Sequence, residues 1–299
     1  MLGRLGAHFA IGLLWLLQLL PLPLLAALGR GLGKLLWPLA GSRRRIALRN
    51  LELCFPELDA AARETLARQH FEFMGRSILE RGLLWFASAE RLQRLVHIDG
   101  DIQLAEKLWA EKQQPVMWLL PHFAGLEWAS PALMLNQKMP AVDVYQKQSN
   151  PVFDARLLAG RGRFGTNAFV DRHDGIRPVL RLLKQGYGFV NAPDMDFGLK
   201  DSAFVPFFGV PACTLLAPSR IARSAKMVVQ PLVATMLPGG QGVRVSAGAP
   251  LADYPTDDPE ADARTLHAWL EAQIRANPAQ YLWVHKRFKT RPAGEASLY

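Results

Sequence analysis

Val116-Met117-Trp118-Leu119-Leu120-Pro121-His122-Phe123-Ala124-Gly125-Leu126-Glu127 is the stretch on which the reading of this chain turns. Its first five residues are apolar and read as a buried strand. Polar chemistry follows at once, with His122 and Glu127 five positions apart. On a helix, five positions are a rotation of roughly 140°, so the two side chains would not share a face. On a strand they would point to opposite faces. They meet only if the chain turns between them, and Gly125 can supply that turn. A strand ending in His, a short turn and a helix carrying Glu would put a base and its orienting carboxylate outside the carboxyl end of a strand. That is where open α/β sheets bind their ligands. Such a pair can take a proton from a hydroxyl group. The spacing alone is unspecific, and its context gives it weight.

From residue 95 onward strands and helices alternate. The pattern predicts strands at 96–99, 116–120, 141–145, 167–170, 188–191, 227–233 and 242–247. Helices are expected at 101–112, 127–136, 151–160, 176–184, 214–224 and 260–276. This rhythm predicts an α/β fold with a central, mainly parallel sheet flanked by helices. Ahead of it, 43–55 reads as a basic amphipathic helix with Ile46, Leu48, Leu51 and Phe55 on its buried face. Asp59 is a good N-cap for a helix over 60–86.

The chain has 299 residues, half of them hydrophobic, and a net charge of +9. That excludes a disordered chain and favours a polyanionic partner. Two cysteines, Cys54 and Cys213, give neither a disulfide framework nor a metal quartet. Residues 5–29 contain no Asp, Glu, Lys or Arg. A bilayer-crossing helix needs about 20 such residues. Arg30, Lys34 and Arg43–Arg45 follow, so the expectation is a membrane anchor over 1–35 and a cytoplasmic-side domain over 36–299. A cleaved signal peptide is the rival reading. Pro21 and Pro23 would kink or tilt the anchor.

Further polar clusters follow apolar runs. Gly160-Arg161-Gly162-Arg163-Phe164-Gly165 matches G-x-G-x-x-G formally, but it follows a predicted helix and precedes a strand, the reverse of a dinucleotide fingerprint. Arg161 and Arg163 suit direct contact with an anionic group better. Asp194-Met195-Asp196 follows the strand at 188–191. Two carboxylates alone make a poor metal site, so a carboxylate near His122, paired with arginine, is expected instead. Phe204-Val205-Pro206-Phe207-Phe208-Gly209 reads as acyl-pocket lining or as core. Tyr281–Lys289 alternates aromatic and basic residues, a pattern that fits single-stranded nucleic acid or a headgroup boundary. The apolar N-terminus favours the headgroup boundary and argues against nucleic acid. There is no G-x-S-x-G, H-E-x-x-H, P-loop or paired C-x-x-C.

Taken in order, these segments resemble the lipid A late acyltransferases, the lauroyl/myristoyl transferases of Gram-negative bacteria. The resemblance runs from the N-terminal apolar segment through Arg49-Asn50-Leu51-Glu52-Leu53-Cys54-Phe55-Pro56-Glu57 and the His-x4-Glu box to Asn150-Pro151. It continues through Arg161 and Arg163, Asp194–Gly198, Phe204–Gly209 and Tyr281–Lys289. It departs at Leu126, where Trp often precedes the Glu, and at Met195, where Gln is frequent. The broader group is the His-x4-Asp/Glu glycerolipid acyltransferases. The resemblance implies acyl transfer from a thioester on acyl carrier protein, or on coenzyme A in some relatives, to a hydroxyl of a glycolipid at an inner membrane. The thioester is a co-substrate, and no cofactor or metal is implied. His122 would be the base and Glu127 its orienting group. Arg161 and Arg163 would meet phosphates, and Asp194 would lie at the rim. The alternatives are transfer to a lysophospholipid, ornithine lipid or glycosyl lipid, and a lipid hydrolase.

Overall fold

A computed structural model describes residues 2–299. Its helices are α1 (Leu2–Leu17), α2 (Leu22–Leu39), α3 (Gly41–Cys54), α4 (Ala60–Phe86), α5 (Ala89–Leu95), α6 (Leu104–Lys112), α7 (Ala129–Asn136), α8 (Pro151–Arg161), α9 (Arg177–Leu183), α10 (Ala217–Ser224) and α11 (Pro259–Ala276). Its strands are β1 (Val96–Gly100), β2 (Val116–Leu119), β3 (Ala141–Tyr145), β4 (Asn167–Asp171), β5 (Gly188–Asn191), β6 (Ser202–Phe207), β7 (Val210–Leu215), β8 (Val228–Met236) and β9 (Val243–Ala247).

Seven strands form one sheet in the order β1-β9-β8-β2-β5-β3-β4, parallel except where β8 meets β9. β2 is central and buried along its whole length, as a strand covered on both faces must be. Its side chains alternate between two cores. Val116 and Trp118 join Leu83, Trp128, Leu133 and Leu157, from the α4, α7 and α8 side. Met117 and Leu119 join Val179, Leu183, Ala222 and Leu266, from α9, α10 and α11. The predicted α/β sheet is therefore present. Asp59 caps α4 by accepting the Ala62 amide at 2.7 Å.

Three expectations are corrected. The apolar run at the N-terminus is not one helix. It breaks between Leu17 and Leu22, where Pro21 leads into α2 without an amide proton for a continuous ladder. α1 has 16 residues and α2 carries Arg30 and Lys34, and among the described residues no helix is long and apolar enough to cross a membrane. Leu5, Phe9, Leu13 and Leu16 of α1 are exposed, as are Leu24, Leu28, Leu35 and Leu39 of α2. Their near-fourfold spacing makes an outward apolar stripe on each helix.

The second correction concerns residues 204–215. They form an antiparallel hairpin, β6–β7, where the sequence left acyl-pocket lining or core open for 204–209 and placed the start of a helix at 214. Phe208 and Gly209 both have positive φ, the two-residue turn that matches hairpin twist. Phe207 is buried against Tyr281 and Phe288. Third, the aromatic tail does not present its rings outward. Tyr281, Trp283, Arg287 and Phe288 are all buried.

α2 and α4 touch through glycine. A Cβ on Gly75 would overlap the Gly29 carbonyl and lie 2.5 Å from the Gly33 nitrogen. Gly75→Val must push the helices apart, and we expect a loss of about 3 kcal/mol, the upper end for overpacking. A thermal melt unchanged from wild type would show that the helix pair can slide at no cost.

Candidate active site

The central pair of strands builds the site. Leu119 of β2 is in register with Asn191 of β5, and the two strands run parallel. Three residues beyond each lie His122 and Asp194, so both emerge at the same end of the sheet. Asp194 is buried and takes two donors from one residue. The His122 amide donates to Oδ2 at 2.9 Å, and His122 Nδ1 lies 2.8 Å from Oδ1. With the Nδ1 proton held by the carboxylate, Nε2 carries a lone pair and is able to accept a proton. Burial disfavours the charged imidazole, but the Asp194 carboxylate outweighs it, so the His122 pKa lies above its ordinary 6.5. Burial would raise the Asp194 pKa in turn, and His122 holds it below the usual carboxylate value.

The carboxyl-terminal segment clamps the same loop from outside. The Ala124 amide donates to Gln280 O at 2.7 Å, and the Leu282 amide donates to His122 O at 3.0 Å. Phe123 and Tyr281 form an isolated antiparallel bridge. Gly125 is needed for a different reason from the one its position in the sequence suggests. Its φ of −84° is open to any residue, but a Cβ would sit 2.5 Å from Ala234 O on β8. The turn is small because the sheet passes beneath it.

Glu127 sits on the short 3-10 turn Leu126–Trp128, and its hydrogen bonds go to arginine. Arg161 Nε and Nη2 donate to its two oxygens at 3.0 and 2.7 Å, and Arg161 Nη1 donates to Asp143 Oδ2 at 3.0 Å. Arg81 lies 4.0 Å from the same carboxylate. Burial alone would raise the Glu127 pKa, but the bidentate Arg161 brings it down to about 2. For Asp143 burial prevails, with the neighbouring Glu127 charge adding to it, and its pKa is raised despite Arg161.

Each expected site residue can now be placed. His122, Glu127 and Arg161 line one cavity of about 1050 Å³, above the roughly 300–1,000 Å³ of ordinary ligand pockets. The carboxylate on His122 Nδ1 is Asp194, which was expected at the rim and paired with arginine. Glu127 has Arg161 as its partner instead. Arg163 lies apart, donating to Leu84 O and Ala87 O at 2.9 and 2.8 Å and capping the carboxyl end of α4. Arg161 spends three of its five N–H donors on carboxylates. Asp143 was missed, although an acidic residue inside the apolar strand Ala-Val-Asp-Val-Tyr was a usable signal. Beyond the polar end the wall is apolar, with Leu133, Met134, Leu157, Phe169 and Leu180. Asn167 and Asn191 also line it, each with a buried side-chain oxygen that has no hydrogen-bond partner among the described residues.

A proton acceptor thus stands at the polar end of a long, mostly apolar cavity, a geometry suited to delivering a hydroxyl to an acyl group. Known proteins point the same way. The family model for bacterial lipid A biosynthesis acyltransferases matches residues 1–290. A lipid A biosynthesis lauroyltransferase of Escherichia coli (strain K12) is 35% identical over 290 residues, covering 97% of this chain and 93% of the relative. A palmitoleoyltransferase of the same strain is 34% identical over 297 residues, covering 97% and 93%. A myristoyltransferase of that strain is 33% identical over 280 residues, covering 93% and 83%. With a family model spanning almost its whole length and relatives this similar, the chain belongs to the bacterial lipid A biosynthesis acyltransferase family.

Proposed function

We propose that this acyltransferase moves a fatty acyl chain from a thioester, carried by acyl carrier protein, to a hydroxyl of a lipid A precursor. The observation that supports this most directly is the His122–Asp194 pair opening on the large apolar cavity. His122 Nε2 takes the hydroxyl proton as the oxygen attacks the thioester carbonyl. The tetrahedral intermediate collapses, the carbon–sulfur bond breaks, and the imidazolium returns the proton to the departing thiolate. No acyl-enzyme forms. Two Arg161 N–H groups are not spent on Glu127 or Asp143, and these are the donors we assign to the oxyanion.

The reaction is tested with lauroyl-carrier thioester and a lipid A precursor, read by mass spectrometry. The expected product is heavier by one acyl group. Thiol release at the same rate without acceptor would make the protein a hydrolase instead.

The exposed stripes of α1 and α2 fit a bilayer surface on the cytoplasmic side, with the helices lying in the interface. Changing Leu5, Phe9, Leu13 and Leu16 to Ser removes about 1.5–3 kcal/mol of apolar transfer per side chain if each is fully buried in lipid. Vesicle co-sedimentation should fall by at least about a hundredfold. Undiminished co-sedimentation would place the lipid contact elsewhere.

A further inference from the structure

One surface of the protein has no part in the chemistry so far. Arg177, Arg181 and Lys184 follow one another at intervals of four and three residues, so they share one face of α9 and its end. All three are exposed, while Val179 and Leu183 of the same helix are buried in the core. Arg172, just before α9, and Lys200 extend the surface to the mouth of the cavity, which both residues line. None of these five cations has a salt-bridge partner among the described residues. The neighbouring Arg220 and Arg223 are paired with Asp201 and Asp257. Exposed apolar side chains, Ile176 and Phe197, lie on the same rim.

Resting on the acyl-transfer reading, we propose that this α9 surface is where the soluble acidic carrier that presents the thioester docks. Its cations draw in the acidic carrier, and Ile176 and Phe197 give it an apolar contact beside the opening. An acyl arm then runs from the rim to His122, since one cavity reaches both. The placement favours a protein over a lipid surface. α9 and α10 pack on one face of the sheet, through Val179, Leu183 and Ala222. Leu14 of α1 and Leu22 and Leu25 of α2 belong to the core on the other face. If the apolar stripes of α1 and α2 meet a bilayer, the cationic surface is on the side facing water. Unpaired cations of one sign at a cavity mouth raise the encounter rate with an anionic partner, and salt screens the effect.

The test uses the full-length protein with two donors, lauroyl acyl carrier protein and lauroyl-pantetheine, the second carrying the same thioester without charge. Arg177→Glu/Arg181→Glu should lower kcat/KM with the carrier at least about tenfold and flatten its fall with salt. With lauroyl-pantetheine the same variant should match wild type within about twofold, which also shows that it folds. Arg177→Gln/Arg181→Gln should give an intermediate loss with the carrier. Equal losses on both donors would make the arginines structural and overturn the proposal. So would a wild-type reaction indifferent to salt and to the charge reversal. Normal carrier kinetics combined with lost binding to anionic vesicles would assign the surface to lipid. A wild-type protein that transfers from neither donor would instead remove the acyl-transfer reading, and this inference with it.

Discussion

Replacing His122 with Ala should lower kcat by about 10³-fold, within the range general bases contribute, with a modest fall in melting temperature, because buried Asp194 loses the ring as a partner and keeps the His122 amide. His122 exposes a quarter of its side chain to the cavity, so truncation opens space without unpacking a core. Asp194→Asn is the more informative partner variant. The carboxylate accepts from both the His122 amide and the His122 ring. A carboxamide has one acceptor oxygen, so one of those donors must face an NH₂ group. The ring loses its orientation, and kcat should fall by about 10²-fold.

The pH profile carries the sign. Activity needs neutral imidazole, and the His122 pKa is raised, so the acidic limb of the wild-type profile lies above pH 6.5. Without the Asp194 charge, burial dominates and the limb moves to lower pH. The double variant should be no worse than His122→Ala alone, because the two side chains act as a unit. A limb that stays in place in Asp194→Asn, or losses that multiply, would break the pairing.

A large effect on stability is also expected at Arg161. Its guanidinium lies between Glu127 and Asp143, whose side chains are only 13% and 28% exposed. Arg161→Gln leaves two largely buried carboxylates without their cation, and we expect a loss of about 3 kcal/mol, the lower end for broken buried pairs. Adding Glu127→Gln should restore part of that loss, since it removes one of the stranded charges. In wild type the Glu127 pKa is depressed from 4.5 to about 2, so its stabilisation is complete above 4.5 and is lost as pH falls towards 2. The variant lacks that stabilisation and gains by protonation. Its deficit should therefore narrow between pH 6 and 4, read from melts at each pH. A deficit constant across that interval would mean that Arg161 acts through packing alone.

Much of the sheet was legible because strands covered on both faces leave uninterrupted apolar runs. β3 and β5 fall where the sequence placed them. The hairpin was not, since Phe204–Phe208 looks the same in a core as along a ligand. Nor was the full break in the N-terminal run, where Pro21 and Pro23 had suggested a kinked or tilted anchor. His122 was singled out by its position after β2. Its partner was misassigned because the near residue, Glu127, is five positions away, whereas Asp194 is 72 away and reaches it only through the register of β2 with β5. Register is a property of paired strands, and a single segment does not display it. The same holds for Arg163, whose isolated guanidinium looked free and is in fact bound to carbonyls at the end of α4.

The clamp that residues 280–282 place on the His122 loop sets an order of events during synthesis. The apolar helices α1 and α2 leave the ribosome long before the clamp is translated. Every polar residue of the site has already emerged by then, yet the loop bearing the base still lacks its brace. A premature stop before Gln280 would thus yield a protein with its full complement of reactive groups, its base still tied to Asp194 but carried on a loop with no outer support.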